Sequence, residues 1–267
     1  MTHPRPVPSS VVVGIDGSDA AIKAALWAVD EAITRELTLR LVHAVPTAAN
    51  GLEIEYAETA LRAADAAVAR TGKAVKVEPA VVAGHARAVL IDESRFAAMA
   101  CVGSVGIGRV ARMVLGSTAA ALANSAYCPV AVIRAHPDER EPDNGWIAVT
   151  VDDSVDNDVV VGRGFAEAQL RHAPLMAAGV CHRGRAENPD GWLDRRLEPW
   201  IDRYPGVRVQ SVTAPHGFAD FVAGSEEPIG LAVVGSADAR KILRFVGPVR
   251  GTWIFDHAEC SVLVIRS

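Results

Sequence analysis

Small residues followed by hydroxyls stand out first as groups able to do chemistry. Residues 101–118 read CVGSVGIGRVARMVLGST, placing Gly103, Gly106 and Gly116 ahead of Ser117 and Thr118. Glycines without Cβ atoms let main chain approach a ligand closely. A helix starting at Gly116-Ser117-Thr118 offers N–H groups and the positive end of its dipole, a setting that suits a phosphate. The two hydroxyls add donors. Near the N-terminus, Gly14-Ile15-Asp16-Gly17-Ser18 follows an apolar run, and a carboxylate at Asp16 can accept hydrogen bonds from sugar hydroxyls. The same glycines could equally form a turn, with Ser117 as a helix N-cap.

These segments matter only if the fold gathers them. VVVGI (11–15) reads as a short strand buried on both faces. Residues 20–35 read as a helix with Ala21, Ala25, Leu26, Val29 and Ile33 on one face. Strands are then expected at 39–45, 75–82, 99–104 and 128–134, and helices at 53–72, 86–98 and 116–126, with Gly72 closing the second helix. This alternation predicts an α/β fold with a doubly wound, Rossmann-like parallel sheet. Ligands in such sheets bind beyond the C-terminal ends of the strands. Gly14–Ser18, His43-Ala44-Val45 and Gly103–Thr118 all lie at such ends, and backbone near Ala44 could read an adenine edge.

The chain then repeats itself. CPVAVIR (128–134) returns as CSVLVIR 132 residues later, and CVGS (101–104) as VVGS (233–236). VVVGIDGS (11–18) faces IAVTVDDS (147–154) at an offset of 136. The charged, proline-bearing stretch 135–145 reads as a linker, so two tandem domains are expected, 1–140 and 141–267. In the second, Asp16 is matched by Asp152, but Gly14 becomes Thr150 and Gly17 becomes Asp153. Gly106 falls on Asp238, and Gly116-Ser117 on Pro248-Val249. Proline lacks the N–H that an anion needs, and carboxylates repel phosphate, so the second copy is expected to bind triphosphate weakly or not at all. Its Trp192 and Trp200 are read as packing residues.

The residues carrying the argument, namely VVVGIDGS, LVHAV, Gly84 and GSVGIGRVARMVLGSTAAALANSAYCPVAVIR, resemble the universal stress protein family in its tandem form. The Gly-x2-Gly-x9-Gly-Ser spacing matches that family's ATP-binding signature. The resemblance implies that Asp16 and Gly103 hold the ribose and that Ala44 backbone meets the adenine. Gly106, Gly116, Ser117 and Thr118 would cradle the phosphates, with Mg²⁺ nearby. Family loops often carry a basic residue between the first two glycines. Here Ser104-Val105 is neutral, leaving Arg109 or Arg112 to supply charge. The resemblance also implies pairing of the two domains through their last strands, and association of whole chains as a homodimer is compatible with it.

Other function classes find little support. A net charge of −5, with no basic run interleaved with aromatics, argues against a nucleic-acid partner. No apolar run is long enough to span a membrane. The cysteines at 101, 128, 181 and 260 form no C-x-x-C pair, and the chain is expected to be cytoplasmic. There is no P-loop lysine, no Gly-x-Ser-x-Gly elbow and no His-x3-His pair. His43 is the only histidine near the expected site. The reading is a regulatory ATP-binding protein of the stress response that is not an enzyme, or at most a slow ATPase. The alternative is an interaction scaffold holding nucleotide as a structural ligand.

Overall fold

The computed structural model describes residues 8–104, 106, 115–134, 145–180, 191–236, 239 and 260–266. The chain divides into two units, Met1–Ala135 and His136–Ser267. Arg109, Arg112, Asp238, Pro248, Val249, Cys181 and residues 135–144 of the expected linker lie outside the described residues.

The first unit runs β1 (Ser10–Gly14), α1 (Asp19–Thr34), β2 (Thr38–Val45), α2 (Gly51–Arg70), β3 (Val77–Ala83), α3 (Ala86–Glu93), β4 (Ala97–Gly103), α4 (Ser117–Ser125) and β5 (Val130–Ile133). Its strands lie in the order β3-β2-β1-β4-β5, all parallel. The run VVV in β1 is buried because helices cover both faces. The second unit repeats the scheme with β6 (Trp146–Val151), α5 (Asn157–Leu170), β7 (Leu175–Gly179), α6 (Trp192–Arg203), β8 (Val209–Thr213), α7 (Phe218–Ala223), β9 (Ile229–Gly235) and β10 (Ser261–Ile265). Its parallel order, β10-β9-β6-β7-β8, is that of the first unit. The α/β class and the alternating parallel architecture expected from the sequence are both present.

α1 differs from its expected face. Its buried residues are the small ones, Ala20, Ala21, Ala24, Ala25, Ala28 and Ala32, with Val29 and Glu31. Leu26 is only half-buried and Ile33 is 37% exposed. The reason is the close approach of α1 to the sheet. A Cβ built on Gly103 of β4 would lie 2.7 Å from both the backbone carbon and the Cβ of Ala20. Only alanines fit such a contact, so the bulky residues turn aside. Glu31, fully buried, is paired with Arg35 at 2.6 Å. The repeat keeps this arrangement in Glu167, held by Arg163 at 2.7 Å and Arg171 at 3.0 Å.

The third helix is shorter than the apolar pattern suggests. It ends at Glu93, where the Ser94 hydroxyl donates to the Ile91 carbonyl and accepts from the Tyr127 N–H. Ala97 then enters the sheet opposite Ser10. The second helix starts at Gly51, earlier than expected, because Asn50 and Glu53 form a capping box. Gly72 follows its C-cap with φ of 68°, as the sequence suggested. The tryptophans of the second unit do pack. Trp192 lies against Gly179, and Trp200 lies over Gly162 and stacks with Phe165.

The Gly103 contact makes a prediction. Gly103→Ala should cost about 1–3 kcal/mol, because backbone rather than a flexible side chain blocks the new methyl. Gly235, its repeat counterpart, meets Val160 at 3.5 Å among the described residues, so Gly235→Ala should change stability by less than about 1 kcal/mol. Denaturant unfolding of the two variants checks this difference.

Candidate functional site

β1 is where the strand order reverses, since its chain continues to β2 on one side while β4 lies on the other. The crevice at such a switch point is the default ligand position. Past β1, the Ile15 N–H donates to the Val42 carbonyl at 2.8 Å, and the chain then leaves the sheet at Asp16. Asp16 Oδ1 accepts from the Ser18 N–H at 3.0 Å and the Ser18 hydroxyl at 2.6 Å. Ser18 Oγ in turn accepts from the Ala21 N–H at 3.2 Å, capping α1. Gly17 supplies the φ of 90° that this turn requires.

A cleft of about 170 Å³ opens here, an order of magnitude more room than one bound water needs (~10–15 Å³). The structure gathers ten of the expected residues around it: Gly14, Ile15, Asp16, Ser18, Ala44, Gly103, Gly106, Gly116, Ser117 and Thr118. Gly17 stays in the turn and does not line the cleft. The sequence reading missed Ala21, Val42, Ala86, Leu90, Val102 and Ala119, which complete the walls. Ala86 and Leu90 are one helical turn apart at the start of α3, directly after Gly84, and that spacing was the available signal.

The glycines that line the cleft also have packing jobs. Cβ atoms at Gly103 and Gly14 would strike α1 and Leu90 respectively, so these positions are bare for packing. A Cβ on Gly106 would lie 2.6 Å from Asp16 Oδ2, so the bare glycine lets the carboxylate approach it closely. The Asp16 carboxylate therefore has Oδ1 committed to its turn and Oδ2 against Gly106. Gly116, not Ser117, is the N-cap of α4, with ordinary extended backbone, and its N–H donates to the Ser104 carbonyl at 2.7 Å. The first bond inside α4 is Ala120 N–H to Gly116 O. The N–H groups of Ser117, Thr118 and Ala119 precede it, with no side-chain cap and no acidic residue in that turn. Ala44 lies past the last registered β1–β2 pair, Gly14–Val42, on the side that β1 has vacated.

His43 is not part of the cleft. Strand alternation sends Val42 and Ala44 into it and His43 to the opposite face. There its ring meets Tyr56 edge-on, with centroids 5.8 Å apart at 71°. Burial pushes the His43 pKa below its ordinary value, against smaller opposing effects from the Asp16 charge and a hydrogen bond with Ile15 backbone. Among the described residues no three histidine, cysteine or acidic side chains are grouped to hold a metal ion. None of the described helices is long and apolar enough to cross a membrane.

The second unit keeps the turn but carries larger side chains beside it. Asp152 Oδ1 accepts from the Ser154 N–H at 2.8 Å and from its hydroxyl, reproducing Asp16 and Ser18. Where the first unit has Gly14, Thr150 is 1% exposed, with no hydrogen-bond partner for its Oγ1 among the described residues. Asn157 stands in place of Ala21, donating to the Thr150 carbonyl and accepting from the Asp152 N–H, each at 3.1 Å.

Comparison with known proteins fits this geometry. Over 98% of its length the chain is 47% identical to the universal stress protein Rv2624c of Mycobacterium tuberculosis strain H37Rv, covering 98% of that protein. It belongs to the universal stress protein family. Residues 9–134 match the family itself. A second relative in that organism, the universal stress protein Rv3134c, is 42% identical, covering 100% of this chain and 99% of the relative. A universal stress protein structure from Archaeoglobus fulgidus aligns over 96% of this chain and 98% of its own, with a TM-score of 0.64 at 14% identity, a likeness of fold. In this universal stress protein, the residues that surround the cleft all fall within the stretch that matches the family.

His43 gives a pH prediction. With its folded pKa below 6.5, the unfolded chain takes up a proton first as pH falls through that value, and the folded state loses stability there. The stability of the wild type relative to His43→Gln should therefore decline between pH 7.5 and 5.5. Parallel pH profiles for the two proteins would show that His43 contributes nothing to the pH dependence.

Proposed function

We propose that the first unit binds an adenine nucleotide, ATP with Mg²⁺ in its working form, and that occupancy of this one site sets the state of the protein in a stress response. One observation carries the reading. Asp16, with Gly106 bare against its carboxylate, and the start of α4, which has no side-chain cap, line the same cleft. An acceptor for sugar hydroxyls and a donor set for phosphate thus lie where a nucleotide needs them. Asp16 would take the ribose, Ala44 backbone the base, and Gly106, Gly116, Ser117 and Thr118 the phosphates. Mg²⁺ would arrive with the phosphates, supplying charge neutralisation, and Arg109 is part of the proposed set.

The proposal assigns the site to regulation rather than turnover. The buried Thr150 and Asn157 support a second unit without a nucleotide site. We assign it the role of permanent partner to the first, in the place that a second copy would otherwise take.

Equilibrium dialysis with Mg-ATP should give one equivalent per chain. Asp16→Ala should weaken binding at least about tenfold, the effect of losing charge-assisted hydrogen bonds. Asp152→Ala, which removes the same turn from the second unit, should leave binding unchanged. Two equivalents, or equal sensitivity to both changes, would refute the reading.

A further inference from the structure

The Asp16 loop is held from behind as well as from within. The Tyr56 hydroxyl, on α2, donates to the Asp16 carbonyl at 3.1 Å. Tyr56 stands less than two turns past the Asn50–Glu53 capping box, so its backbone is fixed by the start of its helix. Its ring rests against His43, which is 8% exposed, with Nδ1 in no hydrogen bond among the described residues. Within the loop, Asp16 Oδ1 is already tied to Ser18. Fixing the carbonyl as well leaves the carboxylate little freedom about its backbone, and Oδ2 is held toward Gly106.

The second unit is an internal control. Sheet register places Gly179 where the first unit has His43, since Thr150 pairs with Ala178 as Gly14 pairs with Val42. A Cβ at Gly179 would meet Trp192 at 3.1 Å and Leu193 at 3.2 Å, so these side chains cover the ground of the imidazole. The loop there is held farther along, by Arg196 donating to the Ser154 carbonyl at 2.9 Å and pairing with Asp158 at 2.8 Å. Both units keep the aspartate turn, and the tie between a tyrosine and the aspartate carbonyl accompanies the open cleft.

We propose that Tyr56, seated on His43, is a positioning residue that aims the Asp16 carboxylate at the sugar hydroxyls of the nucleotide and so sets the preference for ribose over deoxyribose. This rests on the nucleotide reading above. A neutral hydrogen bond from a tyrosine that packs on one side controls the direction of a charged group that makes the contact.

Affinities of the full chain for Mg-ATP and Mg-2′-deoxyATP test it, measured by calorimetry for the wild type, Tyr56→Phe, Asp16→Ala and the double variant. The wild type should prefer ATP, and Asp16→Ala should erase that preference. Tyr56→Phe keeps the ring on His43, so its unfolding temperature should stay within about 2 °C of wild type. Its affinity for ATP should drop about three- to tenfold while that for deoxyATP changes less, narrowing the ratio. The double variant should match Asp16→Ala, because Tyr56 acts through Asp16. If Tyr56→Phe binds both nucleotides as the wild type does, or loses affinity for both equally, the positioning role is overturned and the nucleotide reading stands. If the wild type binds neither nucleotide, or Asp16→Ala changes nothing, the nucleotide reading fails and this inference falls with it.

Discussion

The first unit is organised by how closely a helix can lie on its sheet. α1 rests on β4 with Ala20 against the bare Cα of Gly103, too near for any side chain between them. Interiors are packed closely enough that one methyl group at such a contact is felt. α1 also begins in the Asp16-Gly17-Ser18 turn, so the contact that seats the helix sets the position of the turn. The end of β4, and with it the path toward Gly106, is set at the same time. The distance between the Asp16 carboxylate and Gly106 is thus a consequence of core packing. The elements set where the Asp16 turn sits, and the bonds to Ser18 and Tyr56 hold it there.

In the second unit Gly235 keeps the glycine of β9, and among the described residues its neighbour is Val160 at an ordinary van der Waals distance. The turn survives in Asp152 and Ser154, because an aspartate side chain can bond backbone two residues on whatever lies beyond. Thr150 and Asn157 bring side chains to positions that are Gly14 and Ala21 in the first unit, and Asn157 commits its amide to the Thr150 and Asp152 backbone. A fold can therefore be copied along a chain while the residues beside the same turn change.

Much of this was legible in the residues. Alternating apolar runs and helical faces carried the parallel sheet, and the repeated CPVAVIR and CSVLVIR carried the tandem plan. Segments at the ends of β1, β2 and β4 pointed to the cleft, because strand ends in such sheets converge. The illegible part depended on distance. The sequence cannot show that Gly103 and Gly14, besides lining the cleft, are bare because α1 and Leu90 lie against them. Nor does it show which face of a strand carries His43, since burial on both faces erases the alternation that would reveal it. The alanine face of α1 was misjudged for a related reason. Leu26 and Ile33 are the more hydrophobic residues, but only alanine fits the space. The third wall of the cleft, Ala86 and Leu90, bears no chemical group that would draw notice.

The functional reading stands on the proposal of one nucleotide site per chain, in the first unit. Hydrogen–deuterium exchange of the full chain, with and without saturating Mg-ATP, tests it because it reports where protection arises. Exchange should slow at residues 14–18, 103–106 and 116–120, with residues 150–157 unchanged. Protection at 150–157, or none around the first cleft, would contradict it.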